Sequence, residues 1–531
     1  MFKGFRQIVS FTMLSRVLGM VRDICYSHFF GATALGDAWI ISFRIPNLAR
    51  RVFGEGAAVS SFIPVYSEEL ENSSETARKL ANTITTAVFT ILAGAVLLGW
   101  ALLLGAGIFS DLTGDGKLII QLTSIMLPYA AVICTIAIMA GILNVHGHFS
   151  APAAAPVILN AFIISAILIS GWAMGMPPRT QVFIAAFCVL IAGGVQTALQ
   201  IYVLGRLGIH LRPELDLKMK AVRRVMLLMA PMILGATVTQ INTLSDELIA
   251  WFFSGSEAKG SELMIFGRSA EYPLWRGSVM HLYLSQRLYQ LPLGVFGISL
   301  ATAIFPVLSR AAARLETDKM MTSLSGGIKM AVFAALPCSL GLIVVAEPLI
   351  RLLFENGREF TASDTAQSAG VLYGYAIGIT GFFLQQILIK AFYAAGDSKL
   401  PAKTACWAVG INLVLNLILI WVAGAAGLAL STAVCSYLQV AVMLLVLRKR
   451  YGGFHSGFRP FLAKSLAASG LMFAAGLAVN HFMAGLDENA AFDSARIAAA
   501  VLISAAVYAG ASKLISNEGL DMVLKRSLPA D

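Results

Sequence analysis

The chain has 531 residues, of which 58% are hydrophobic and only 13% charged, with a mean hydropathy of +0.77. A soluble domain of that size needs far more polar surface, so composition excludes a soluble enzyme or binding module and leaves a polytopic membrane protein. The formal net charge of +10 comes with no soluble basic face for nucleic acid, and in a membrane protein such an excess belongs to cytoplasmic loops and anionic lipid.

Apolar runs long enough to cross roughly 30 Å of hydrocarbon as helix are predicted over 7–30, 36–62, 79–106, 118–146, 153–173, 181–204, 224–253, 281–309, 327–352, 367–394, 402–422, 425–447, 461–483 and 495–515. That makes fourteen spans. No polar segment between them is large enough to fold alone, so the fold class is all-α throughout. The first run contains Arg16 and Arg22 and ends in no small-residue cleavage pattern, which makes it a first span rather than a signal peptide. Charges and Pro46 depress the hydropathy of the second, which is retained because the alternative strands charged backbone at depth.

These first two spans hold Arg16, Arg22, Asp23, Asp37, Arg44, Arg50, Arg51 and Glu55. A charge at mid-bilayer costs roughly 2.5 to 3.5 kcal/mol on insertion scales, so such a cluster implies a wet cavity, internal pairing and a task. The task it suggests is moving an anion. On the second span Asp37, Arg44 and Arg51 are seven apart and Glu55 follows by four, so one helical face bears all four if the kink at Pro46 is mild.

Basic residues cluster at Arg206, Arg212, Lys218, Lys220, Arg223 and Arg224, at Arg310, Arg314 and Lys319, at Lys399 and Lys403, and at Arg448, Lys449, Arg450 and Arg459. All these loops fall on one side, and the positive-inside bias puts both termini in the cytoplasm. Two internal matches recur six spans apart. Val52-Phe53-Gly54 leading to Phe62-Ile63-Pro64 resembles Val295-Phe296-Gly297 leading to Ile304-Phe305-Pro306, and Gly147 precedes Pro152 as Gly396 precedes Pro401. An even offset, if not coincidence, means two six-helix lobes in parallel repeat, 1–204 and 205–450, with substrate between them near the midplane and 451–531 as an appended helix pair.

The six cysteines never take a CxxC spacing and read as small packing residues rather than disulfides or a metal site. His146, His148 and His281 fall at predicted helix ends, where a solvated imidazole is expected. There is no Walker loop, no HExxH and no nucleophile beside paired carboxylates, which argues against an ATP-driven pump, a hydrolase or a resident cofactor.

The motifs Ser15-Arg16-Val17-Leu18-Gly19, Arg22-Asp23, Asp37-Ala38, Pro46-Asn47-Leu48-Ala49-Arg50-Arg51-Val52-Phe53-Gly54-Glu55-Gly56-Ala57 and Phe62-Ile63-Pro64 resemble the N-terminal signature of the MurJ/MviN flippase family. Gln286-Arg287-Leu288 with Leu291-Pro292-Leu293-Gly294-Val295-Phe296-Gly297 is similar to that family's eighth helix. The resemblance covers essentially the whole chain. It implies transport of lipid II, the undecaprenyl-diphosphate-linked disaccharide-pentapeptide of peptidoglycan synthesis, from the cytoplasmic to the periplasmic leaflet of the bacterial inner membrane by alternating access. Helices 13 and 14 would then offer a groove for the lipid tail, and other cell-wall synthesis proteins become candidate partners beside membrane lipids. Two departures stand out: Gln286 where many members carry an acid, and a long loop from Gly255 to Met280 of no readable purpose.

A diphosphate suits guanidinium, whose planar fork donates bidentately and stays protonated at depth. Arg16, Arg22, Arg50, Arg51 and Arg287 are the expected head-group ligands, with interfacial snorkelling as the alternative. Asp23, Asp37, Arg44 and Glu55 are expected to balance charge or latch one conformation. Asp246, with Asn412 and Asn416 at i, i+4 and Thr432 beyond, forms a candidate cation site for Na+ or H+ coupling, unless the asparagines only join helices. The competing functions are a flippase for another polyprenyl-diphosphate oligosaccharide, a cation-coupled drug antiporter whose cavity should be rich in carboxylates, and a non-transporting cell-wall scaffold that needs no embedded charge.

Overall fold

A computed structural model describes residues 2–53, 59–109, 114–265, 267–355, 358–452, 457–483 and 490–524. The protein is a helical, multi-pass membrane protein. Among the described residues ten helices are long and apolar enough to cross a bilayer. Their outward faces carry bare aliphatics such as Leu97, Leu98, Leu102 and Leu104, each more than 60% exposed, as expected of a surface facing hydrocarbon rather than water.

The helices run α1 (Phe2–Phe29), α2 (Ala34–Ala49), α3 (Val59–Asn72), α4 (Ser74–Phe109), α5 (Gly114–Met126), α6 (Pro128–Val145), α7 (Ser150–Leu168), α8 (Pro178–Arg206), α9 (Lys220–Phe252), α10 (Ser278–Pro292), α11 (Ser299–Ala313), α12 (Thr317–Ile350), α13 (Ala362–Ala394), α14 (Lys399–Tyr451), α15 (Phe458–Met483), α16 (Ala490–Leu514) and α17 (Glu518–Leu524). Two compact units result. The first comprises Met1–Trp251, Gly255–Glu271 and Gly357–Glu359, and the second Phe252–Ser254, Tyr272–Asn356 and Phe360–Asp531.

Some expected spans comprise more than one helical segment. Within the span predicted over 36–62, α2 is followed by π-helical backbone over 50–53, residues 54–58 lie outside the described residues, and α3 begins at Val59. Pro46 alone is absorbed inside α2. The span predicted over 118–146 comprises α5 and α6, with helical backbone carried through Leu127, whose N–H donates to the Thr123 carbonyl, and Pro128 opening α6. Conversely, the two spans over 402–422 and 425–447 are arms of one hairpin, α14. Gly424 turns the chain at φ 57°, a left-handed value that a side chain would resist. Residues before that turn hydrogen-bond residues after it, Asn412 with Ser431 and Thr404 with Gln439, so the arms pack against one another. α17 was not anticipated; it is too short to span.

In the first unit an aromatic group knits α1 to α2, with Tyr26 5.4 Å from Trp39 and Trp39 stacked 5.7 Å from Phe43. Between α8 and α9 the chain runs extended along α4. The backbone N–H groups of Arg212, Glu214 and Asp216 donate to Asn82 Oδ1, Thr86 Oγ1 and Thr83 Oγ1 at 3.0, 3.2 and 3.4 Å, the period of two expected of a strand-like strap. The long loop after α9 is also ordered locally. Strands Glu262–Ile265 and Arg268–Glu271 pair antiparallel, Glu262 opposite Glu271.

The second unit has an apolar core in which Leu324, Ile328, Ile379, Phe383, Ile387, Phe392 and Met443 are almost wholly buried. Thr361 and Asp364 form a capping box at the start of α13. His281 in the first turn of α10 is 1% exposed and its Nε2 lies 3.2 Å from Asp364 Oδ1, so the solvated imidazole expected there is corrected to a buried one. A helix end need not be wet when another helix begins beside it.

Candidate functional site

α1 places its two embedded arginines differently. Six residues of helix turn through about 600°, so Arg16 and Arg22 cannot share a face. Arg16 is exposed, whereas Arg22 is 8% exposed and held from two sides. Its Nε and Nη2 donate to Asp23 Oδ1 at 3.1 and 2.7 Å, and its Nη1 donates to Asn160 Oδ1 of α7 at 2.9 Å. The guanidinium also lies 5.3 Å from the centre of the Tyr26 ring. Asp23, 3% exposed, is thereby spoken for by its own neighbour in sequence.

Two arginines, one in α2 and one in the π-helical stretch after it, reach α9. Arg44 clasps Glu247 through both guanidinium edges, with Nε to Oε2 at 2.9 Å, while Arg51 Nη1 donates to Gln240 Oε1 at 3.4 Å. From 44 to 51 and from 247 to 240 is seven residues each way, the repeat that keeps successive contacts on one face. The spacing of Arg44 and Arg51 thus does align them, despite Pro46. Arg44 and Glu247 side chains are 10% and 2% exposed, so the pair is desolvated. Arg50 is half-buried at the start of the π-helical stretch, which re-aims the residues after α2.

Asp37, in the first turn of α2, is 2% exposed. Lys259, from the loop after α9, sits with Nζ 4.0 Å from the Trp251 ring centre and 2.8 Å from the Trp251 carbonyl oxygen. Burial pushes the Lys259 ammonium's pKa down, opposed by the attraction of Asp115 and Asp37. Asp115 accepts from Ser256 Oγ at 2.5 Å. The long loop is therefore anchored to the first unit through charge, which its sequence did not disclose. Glu55 lies outside the described residues, as do Gly54 and Gly56.

In the second unit Arg287 of α10 is half-buried, its Nη2 donating to Tyr283 Oη at 2.9 Å with the guanidinium 4.8 Å from that ring centre. One turn of helix brings this i, i+4 pair together. Gln286 donates to Tyr375 Oη at 3.3 Å. Asn412, Asn416 and Thr432 do come together, around Ser431. Asn412 Nδ2 donates to Ser431 Oγ and Thr432 Oγ1 at 3.0 and 3.3 Å, Asn416 Nδ2 donates to Asn412 Oδ1 at 3.0 Å, and Ser431 donates to Asn416 Oδ1. Asp246, 2% exposed, belongs to the first unit beside Glu247. Among the described residues no group of three or more His, Cys, Asp or Glu could hold a metal ion.

The model of the family described as lipid II flippase MurJ matches residues 26–489. The chain belongs to that family. Among its relatives, a probable lipid II flippase MurJ of Vibrio cholerae serotype O1 is 33% identical, over 82% of this chain and 81% of its own. The lipid II flippase MurJ of Burkholderia cenocepacia is 30% identical over 96% of both chains. A solved structure of lipid II flippase MurJ in an inward closed conformation superposes with a TM-score of 0.74 at 23% identity, covering 96% of this chain and 99% of that one. An inward-facing multidrug resistance transporter of the MATE family shares the fold at a TM-score of 0.62 and 15% identity, covering 84% and 97%. The family is one of membrane transporters, not enzymes.

Three residues of this site escaped sequence reasoning. Asn160 is a lone amide in an otherwise apolar run, a signal that was there to be read; Gln240 is flagged only by its distance of seven from Glu247; Tyr283 is flagged by lying one turn before Arg287.

Proposed function

We propose that the chain carries lipid II from the cytoplasmic to the periplasmic leaflet of the bacterial inner membrane by alternating access, as membership of the flippase family leads one to expect. The observation that carries the reading is Arg22: a guanidinium almost wholly buried in an apolar protein, held by one carboxylate and one neutral amide. A diphosphate can replace the carboxylate of Asp23 as its partner, so the empty carrier keeps the charge compensated and the loaded one exchanges one anion for another.

In this reading Arg16, Arg22, Arg50, Arg51 and Arg287 bind the head group, while Asp23, Asp37, Arg44 and Glu55 balance charge or latch a state. The moving bodies are the two six-helix lobes, 1–204 and 205–450, with 451–531 appended. Both termini face the cytoplasm, in keeping with the basic loops. Asp246 is the candidate carboxylate for coupling to Na+ or H+, and Asn412, Asn416 and Thr432 are its candidate oxygen donors. Membrane lipids and other cell-wall synthesis proteins are the proposed partners.

The test is leaflet accessibility of lipid II in cells depleted of every flippase and supplied with this chain or its variants. The parent should restore periplasmic exposure, and R22A and R287A should each abolish it at unchanged membrane level. Restoration by R22A would overturn the role of Arg22, and no restoration by the parent would overturn the function.

A further inference from the structure

Asn160 is 5% exposed in the middle of α7, where an amide persists only if its groups are bonded. Both ends of its amide face α1. Oδ1 accepts from Arg22 Nη1 at 2.9 Å, and Nδ2 donates to the Ser15 carbonyl oxygen at 3.2 Å. The amide also lies beside Gly19, whose missing side chain leaves it room: a Cβ there would sit 3.8 Å from Asn160 Nδ2. Asn160 therefore grips α1 by its backbone and by the arginine two turns further on.

Building on the assignment of Arg22 to substrate, we propose that Asn160 is a positioning residue for that arginine. Asp23 takes Nε and Nη2, and Asn160 takes Nη1, so the guanidinium plane is fixed along separate edges. The two holders differ in charge. Asp23 neutralises the cation and must be displaced by an incoming diphosphate, whereas the amide orients the fork without competing for its charge. Through that exchange Asn160 keeps Arg22 aimed. Without it, the Nη1 edge loses its neutral acceptor and the guanidinium shifts toward Asp23, so that the diphosphate meets a cation more fully satisfied.

The measurement is lipid II binding to the purified full-length protein in nanodiscs, for N160A, R22A and the double variant. N160A should weaken binding about tenfold, the worth of a hydrogen bond to a charged group. R22A should weaken it further, and adding N160A to R22A should change it by less than about twofold, because the two act as one unit. An N160A effect that persists in the R22A background would overturn the positioning role while leaving Arg22 as a ligand. If R22A binds lipid II as the parent does, the role of Arg22 falls and this inference with it. N160S, whose hydroxyl is too short to span to Arg22, carries the same cycle if N160A fails to accumulate.

Discussion

The two units embed polarity in different ways. In the first, α1, α2 and α9 hold full charges: Arg22 against Asp23, and Arg44 against Glu247, each side chain 10% exposed or less. In the second, the hairpin α14 holds neutral amides and hydroxyls bonded to one another around Ser431 and to the Leu428 carbonyl, and Arg287 donates to a tyrosine. A buried ion pair is fragile to loss of one partner, because the other charge is left in a medium that cannot solvate it. A neutral network loses only a hydrogen bond or two, since an apolar side chain of similar shape can fill the place. The first unit's ion pairs should thus be sensitive to the loss of one charge, and the α14 hairpin should tolerate the loss of one polar group.

Removing Glu247 should break this comparison open. E247Q should destabilise the protein by about 3 to 5 kcal/mol, with R44Q/E247Q recovering most of the loss, as read by denaturant unfolding in detergent. A loss below about 1 kcal/mol would place this pair with surface ion pairs and erase the contrast. In the hairpin, N416L should lower stability by only about 1 kcal/mol in the same measurement. A loss as large as that of E247Q would mean that the amide network is as demanding as the ion pair.

A third change sets the scale for polar groups outside the spans. The Arg450 guanidinium, donating to Asp397 at 2.6 Å, and the backbone N–H groups of Leu400 and Lys399 hold the Asp397 carboxyl below the usual carboxylate range. A depressed carboxyl stabilises the fold above its unfolded pKa of about 3.9 and loses that contribution as pH falls through the lowered value. Arg450 is 44% exposed, so screening keeps the effect below about 1 kcal/mol. D397N should therefore melt slightly lower than the parent at pH 7, and the gap should close in acid; a gap that widens on acidification would contradict the pairing.

Hydropathy was enough to reveal a helical membrane protein, and the arginine-bearing motifs of the first two spans were enough to suggest its family. Both follow from rules that act locally: a spanning helix must satisfy its own backbone, and a charge at depth is rarely kept without use. The repeat of seven joining Arg44 to Arg51 was also readable, since helix geometry alone fixes it. Which distant side chain meets which buried cation or imidazole was not. Glu247 for Arg44, Asn160 for Arg22 and Asp364 for His281 lie 203, 138 and 83 residues away in the chain, and no local rule relates them. The left-handed turn at Gly424 and the anchoring of the long loop by Lys259 depend likewise on what packs alongside. Sequence determined what each segment must bury, and tertiary structure decided against which neighbour, because burial is a property of a single helix while pairing belongs to two.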